Sequence, residues 1–135
     1  MEALKLKVSE SEKITINLGY VDLGHIDLLV REGFYSNRTD FIRTAIRNQL
    51  ERQNEAIRQS VSRHQFQVGL RTYTEQELSE VATRGEVLHI HVLGLVIIDA
   101  DVSADLARRA IGSLHVLGAL QASAAVKAAL HDRIR

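Results

Sequence analysis

Residues 13–18 read KITINL, and the fold of the first half turns on how that hexapeptide is taken. Ile14, Ile16 and Leu18 fall on one side of an extended chain, and Lys13, Thr15 and Asn17 fall on the other. That two-residue period with β-branched content predicts a half-buried strand. A helix is predicted next, over about 21–32, where Leu23, Ile26, Leu29 and Val30 make an apolar face. Gly24 weakens it locally by roughly 1 kcal/mol relative to alanine. Gly33 is placed to end it. A second helix opens near SNRTDF, with Asn37 as N-cap and Asp40 three residues on as a capping-box partner. Its apolar positions are Phe41, Ile42, Ala45, Ile46 and Leu50. Upstream, residues 4–8, LKLKV, alternate apolar and basic side chains and suit a short strand or arm.

One strand and two helices cannot stand alone. The strand has two unpaired edges, and three short elements bury too little apolar surface. A second copy solves both difficulties: two strands form an antiparallel ribbon and four helices share a core. The ribbon then displays Lys13, Thr15 and Asn17 twice on one face. Such a ribbon fits the DNA major groove, where lysine donates to guanine, asparagine pairs with adenine and threonine meets base edges or a thymine methyl. The start of the second helix, with Ser36, Asn37, Arg38 and Thr39, suits a phosphate.

With these residues in place, about 12–52 resembles the ribbon-helix-helix DNA-binding domain of the Arc/MetJ/CopG type. The resemblance is carried by the alternating strand, by IDLLV ending at Gly33, and by YSNRTDFIR opening the second helix. It implies an intertwined homodimer acting as a transcriptional regulator, in the repressor manner. It places base reading on Lys13, Thr15 and Asn17, and phosphate binding on Ser36, Asn37, Arg38 and Thr39. Gly19 stands where many relatives have proline, and Gly24 interrupts the first helix; both loosen the strand-to-helix turn without touching the reading face.

Composition sets the outer bounds. The chain has 135 residues, 17 Lys and Arg against 17 Asp and Glu, and no cysteine. Global charge therefore forces neither a nucleic-acid nor a membrane partner, and disulfides, Cys-ligated zinc and thiol chemistry are excluded. No apolar run approaches the roughly 20 residues of a membrane span, and the start lacks a signal-peptide pattern. A soluble cytoplasmic protein is the expectation.

Residues 53–65 are mostly polar and read as a helical extension or a linker. From 66 to 135 the character changes to an alternation of strands and helices, so the overall class is α+β, with a small α/β unit at the C-terminal end. FQVGLRTYT, EVLHIHVLGLVIID and SLHVLGALQA read as strands; TEQELSEVATRG, SADLARRAIG and SAAVKAALHDRI read as helices capped by Thr74, Ser103 and Ser123. HVLG occurs at 91–94 and again at 115–118, each time opening a strand-then-helix segment. The spacing is short for a full βαβ unit, which leaves the strand pairing open. Gly94 and Gly118 inside strands point to bulges or close backbone approach.

His89 and His91 project from one face of an extended segment, and His115 repeats the place of His91. If the strands are adjacent, three imidazoles suit zinc, nickel or copper. Nickel-responsive members of the same group hold a His-x-His pair in a C-terminal domain, but their cysteine ligand has no counterpart here. The simpler reading keeps all three histidines as strand residues, with no metal and no cofactor. The apolar density of Leu93, Leu95, Val96, Ile97, Ile98, Val116, Leu117 and Leu120 suggests an intersubunit assembly, a tetramer or larger, or else an effector-sensing domain. An antitoxin that binds its toxin through the C-terminal half is the alternative; such tails are commonly polar, whereas this one is apolar. Nothing supports an enzyme: there is no phosphate-cradling loop, nucleophile elbow or acid–base pair.

Overall fold

The computed structural model describes residues 11–135. The basic and apolar alternation at 4–8 lies outside the described residues. The order of elements is α1 (Tyr20–Arg31), α2 (Arg38–Arg52), α3 (Asn54–His64), β1 (Gln67–Tyr73), α4 (Glu75–Thr83), β2 (Leu88–Ile98), α5 (Ala104–Ala110), β3 (Ile111–Gln121) and α6 (Ala124–Ala129). A 3₁₀ turn, His131–Arg133, follows. The chain divides into two compact units, Met1–Ile57 and Arg58–Arg135. No helix among the described residues is long and apolar enough to cross a membrane.

In the N-terminal unit, α1 ends as its glycine demands. Gly33 takes a φ of 87°, and the N–H groups of Gly33 and Phe34 reach back to the carbonyls of Val30 and Leu29. Asn37 caps α2, its Oδ1 accepting the Asp40 N–H at 2.8 Å. Asp40 completes the box one residue further out than expected, its Oδ2 accepting the Ser36 N–H at 2.9 Å. Segment 13–18 is exposed throughout and forms no strand in the single chain. A strand is defined by a ladder, and among the described residues nothing in this chain pairs with it. The 53–65 region is helical, but as a separate helix: α2 closes at Gln53 before α3 begins.

The C-terminal unit is a three-stranded parallel sheet in the order β1-β2-β3. Consecutive parallel strands lying side by side need a crossover of one hand, so successive helices gather on the same face of the sheet. Thr74, Ser103 and Ser123 cap α4, α5 and α6, each side chain accepting a backbone N–H three residues ahead. The predicted fifth helix stops at Ala110, because Ile111 already has an extended backbone and opens β3. The last helix is likewise shorter than its pattern, giving way after Ala129 to the 3₁₀ turn. The core lies between helices and sheet: Leu78 and Val81 from α4, Leu106 and Ala107 from α5 and Val126 from α6 meet Ile90, Val92, Val96, Ile98 and Leu114. The opposite face of the sheet carries Val68, Leu70, Leu93 and Leu117, of which Val68, Leu70 and Leu117 are exposed.

The HVLG repeat resolves into register. His91 to Gly94 lie directly beside His115 to Gly118. A third member joins them, since Gly69 of β1 lies beside Gly94. Gly69, Gly94 and Gly118 all have positive φ, at 127°, 142° and 125°. A Cβ on Gly94 would overlap the Gly69 carbonyl oxygen, and one on Gly118 would overlap that of Gly94. The strands approach so closely there that only glycine fits.

Candidate nucleic-acid interface

Lys13, Thr15 and Asn17 are exposed, and so are Ile14, Ile16 and Leu18 opposite them. Exposure at Ile14 reaches 72 % and at Ile16 60 %, values no aliphatic side chain on the inner face of a folded strand would keep. The helices tell the same story. Ile26 is the one buried residue among the described residues of this unit; α2 has none, and Ile46 and Leu50 lie open. The amphipathic faces are present without a core to close on.

At the start of α2 the expected phosphate residues are brought together on one short turn. Ser36 and Thr39 are exposed there. The N–H groups of Arg38 and Thr39 belong to the first helical turn, whose donors have no intrahelical acceptor, and the helix dipole adds partial positive charge. Asn37 spends its side-chain oxygen on the cap. Arg38 is held from within the chain: its Nε donates to Asp27 Oδ1 and its Nη2 to Asp27 Oδ2, both at 2.8 Å. This fork sets the guanidinium's position and ties α1 to α2. The hydrogen bond to Asp27 raises the Arg38 pKa further above its ordinary value, and the same bond lowers that of Asp27. Two of the five guanidinium N–H groups are engaged by the fork, which leaves Nη1 for an outside anion. Asp27 was not legible as part of this turn, since no helical spacing links residues eleven apart across a loop. Beside the turn, Tyr35 and Phe41 pack edge to face with centroids 5.0 Å apart, fixing the entry into α2.

The three strand histidines, His89, His91 and His115, separate into two environments. His91 and His115 are register partners, ring centroids 5.8 Å apart, and Phe66 packs against both. The Nδ1 of His91 is buried with no hydrogen-bond partner. His89 instead shares a hydrogen bond with Ser113 Oγ through Nδ1, at 2.8 Å. Ser113 occupies the register position where a fourth histidine would be needed to complete a square. Among the described residues no group of three His, Asp or Glu side chains is placed to hold a metal ion.

A family model described as the Ribbon-Helix-Helix transcriptional regulator family matches residues 9–127, which takes in both units. No curated protein and no solved structure matches the chain.

Proposed function

The chain belongs to the ribbon-helix-helix transcriptional regulator family, and from that premise we propose that it is a sequence-specific repressor that reads the major groove as a homodimer. Two copies of 13–18 pair as an antiparallel ribbon, with Ile14, Ile16 and Leu18 turned into the shared helical core. Lys13, Thr15 and Asn17 then face base edges. The turn at 36–39 receives a phosphate through its backbone N–H groups, the hydroxyls of Ser36 and Thr39, and the outer edge of Arg38. The observation that carries this reading is the coreless N-terminal unit: one buried residue beside exposed Ile14, Ile16, Ile46 and Leu50. Burial of that surface needs a second copy.

The C-terminal unit acts in oligomerisation or effector sensing. Its own fifteen-residue buried cluster supports a regulator over an antitoxin, whose toxin-binding tail folds on its partner.

The test is a binding titration with DNA from the gene's own upstream region against a scrambled duplex, at low salt. Preference for the native duplex is expected. Equal affinity for both would sink sequence-specific binding. The triple substitution of Lys13, Thr15 and Asn17 by alanine should erase the preference while the dimer stays folded by circular dichroism.

A further inference from the structure

The C-terminal sheet is built from one row repeated three times, and both ends of the row are open. Val68, Leu93 and Leu117 stand side by side; so do Gly69, Gly94 and Gly118, and Leu70, Leu95 and Ala119. We propose that this unit stacks head to tail on a second copy of the chain, β1 of one copy pairing in parallel with the outer edge of β3 of the next. The proposal deepens the oligomerising role given above and is independent of the DNA-binding reading.

The two edges fit in length. The end of the chain covers the start of β3: Arg133 Nη1 donates to the Ile111 carbonyl at 2.8 Å, Ile134 bridges to Leu114 in parallel, and the Arg135 N–H donates to the Leu114 carbonyl at 2.9 Å. Beyond that point no described strand pairs with the outer edge of β3, nor with that of β1. β1 begins at Gln67, whose place in the row is that of Val92 and Val116. It therefore starts just past the covered position and would run along the uncovered part of β3 without meeting Ile134.

The glycine at the open end supplies a second sign. At Gly94 and Gly118 the positive φ accompanies a neighbouring carbonyl that lies where a side chain would be. Gly69 keeps the same backbone, at φ 127°, with nothing within 4 Å of a Cβ position. The missing neighbour is a strand carrying a carbonyl at that height, and the Gly118 carbonyl of the next copy is one. The aliphatic side chains agree. Val68 and Leu117, at opposite ends of one row, are 69 % and 49 % exposed, while Leu93 between them is half-buried. Stacking would bring the two ends together. The helices flanking the two edges are complementary as well: α4 carries Glu75, Glu77 and Glu80, whereas α6 carries Lys127, no acid, and small alanines. A stacked pair would place these two helices next to one another, as α4 and α5 are now. Because the joined surfaces differ, the contact repeats into a chain or closes into a ring.

Sedimentation of the full-length protein without DNA tests this. The wild type should grow beyond the dimer as concentration rises. Val68→Lys and Leu117→Glu each alter one edge at an exposed position, and each should hold the protein at the dimer with an unchanged circular dichroism spectrum. An equimolar mixture should recover the larger species, because every junction then joins either the two wild-type edges or lysine with glutamate. A wild type that stays dimeric at every concentration overturns the stacking, and so does growth that survives both substitutions. Failure of the mixture to recover, with both variants dimeric, overturns the head-to-tail geometry. A protein that never reaches a dimer would instead also defeat the ribbon reading.

Discussion

Asp27 and Arg38 join α1 to the start of α2 by a two-point fork, Nε to Oδ1 and Nη2 to Oδ2, each 2.8 Å long. The pair sits at the surface, with both side chains about half exposed. Such pairs contribute little to stability, and this one matters for where it holds the guanidinium. Arg38→Ala should leave the melting temperature almost unchanged yet weaken binding to all duplexes alike. Loss of one phosphate contact per subunit lowers the slope of log affinity against log salt by about two for a dimer. An unchanged slope would remove Arg38 from the phosphate site.

The same fork sets a dependence on acid. Its hydrogen bond holds the Asp27 pKa below the ordinary 3.8. In the C-terminal unit, the bond from Arg108 does the same for Asp132, below 3.8. A carboxyl whose folded pKa is depressed contributes fully above its unfolded value and loses the contribution as pH falls through the folded one. Both bridges should therefore persist down to the ordinary carboxylate range and open only below it. Carboxyl NMR titration should give both aspartates midpoints below those of unpaired ones, and Arg38→Ala should return Asp27 alone to the ordinary range.

Ile16 separates the two units experimentally. It is 60 % exposed in the single chain, whereas the C-terminal unit has its own core. Ile16→Asp should prevent dimerisation through the ribbon and abolish specific DNA binding, because a buried unpaired carboxylate is strongly unfavourable. The melting transition of the C-terminal unit should remain. Simultaneous loss of both would mean that the C-terminal fold depends on the ribbon dimer.

How far the sequence foretold this architecture depends on how local each signal is. KITINL, the stop at Gly33 and the Asn37 and Asp40 box are each written within a few residues, and together they identify the N-terminal unit from the amino-acid pattern alone. The ribbon strand itself needs a ladder partner, so the single chain leaves 13–18 exposed and unpaired. HVLG announced two members of the sheet row. The third was hidden because FQVGL keeps only its glycine and the aliphatic pattern around it, and because Phe66 stands in the place of the repeated histidine. The Asp27–Arg38 fork crosses a loop and has no sequence period. His115 does lie beside His91, as the repeat suggests, but the partner of His89 in the next strand is Ser113, whose hydroxyl shares a hydrogen bond with His89 Nδ1, and no spacing within the sequence shows that pairing.

The glycine row yields the sharpest ranking of substitutions. A methyl group at Gly94 or Gly118 meets two obstacles: a backbone φ that L-residues avoid, and the carbonyl oxygen of the preceding strand. Strain of that conformation alone costs on the order of 1–3 kcal/mol. The overlap with backbone cannot be relieved by a side-chain rotation, so the strands must part and their ladder weaken. Gly69→Ala meets the first obstacle only, since nothing lies within 4 Å. Thermal melts of the C-terminal transition should rank Gly94→Ala and Gly118→Ala well below Gly69→Ala, with Gly69→Ala lowered by an amount in the strain range. The measurement is best made on the Leu117→Glu background, where stacking between copies is blocked and each melt reports one sheet. Equal losses at all three positions would show that strain, and not strand contact, sets the need for glycine.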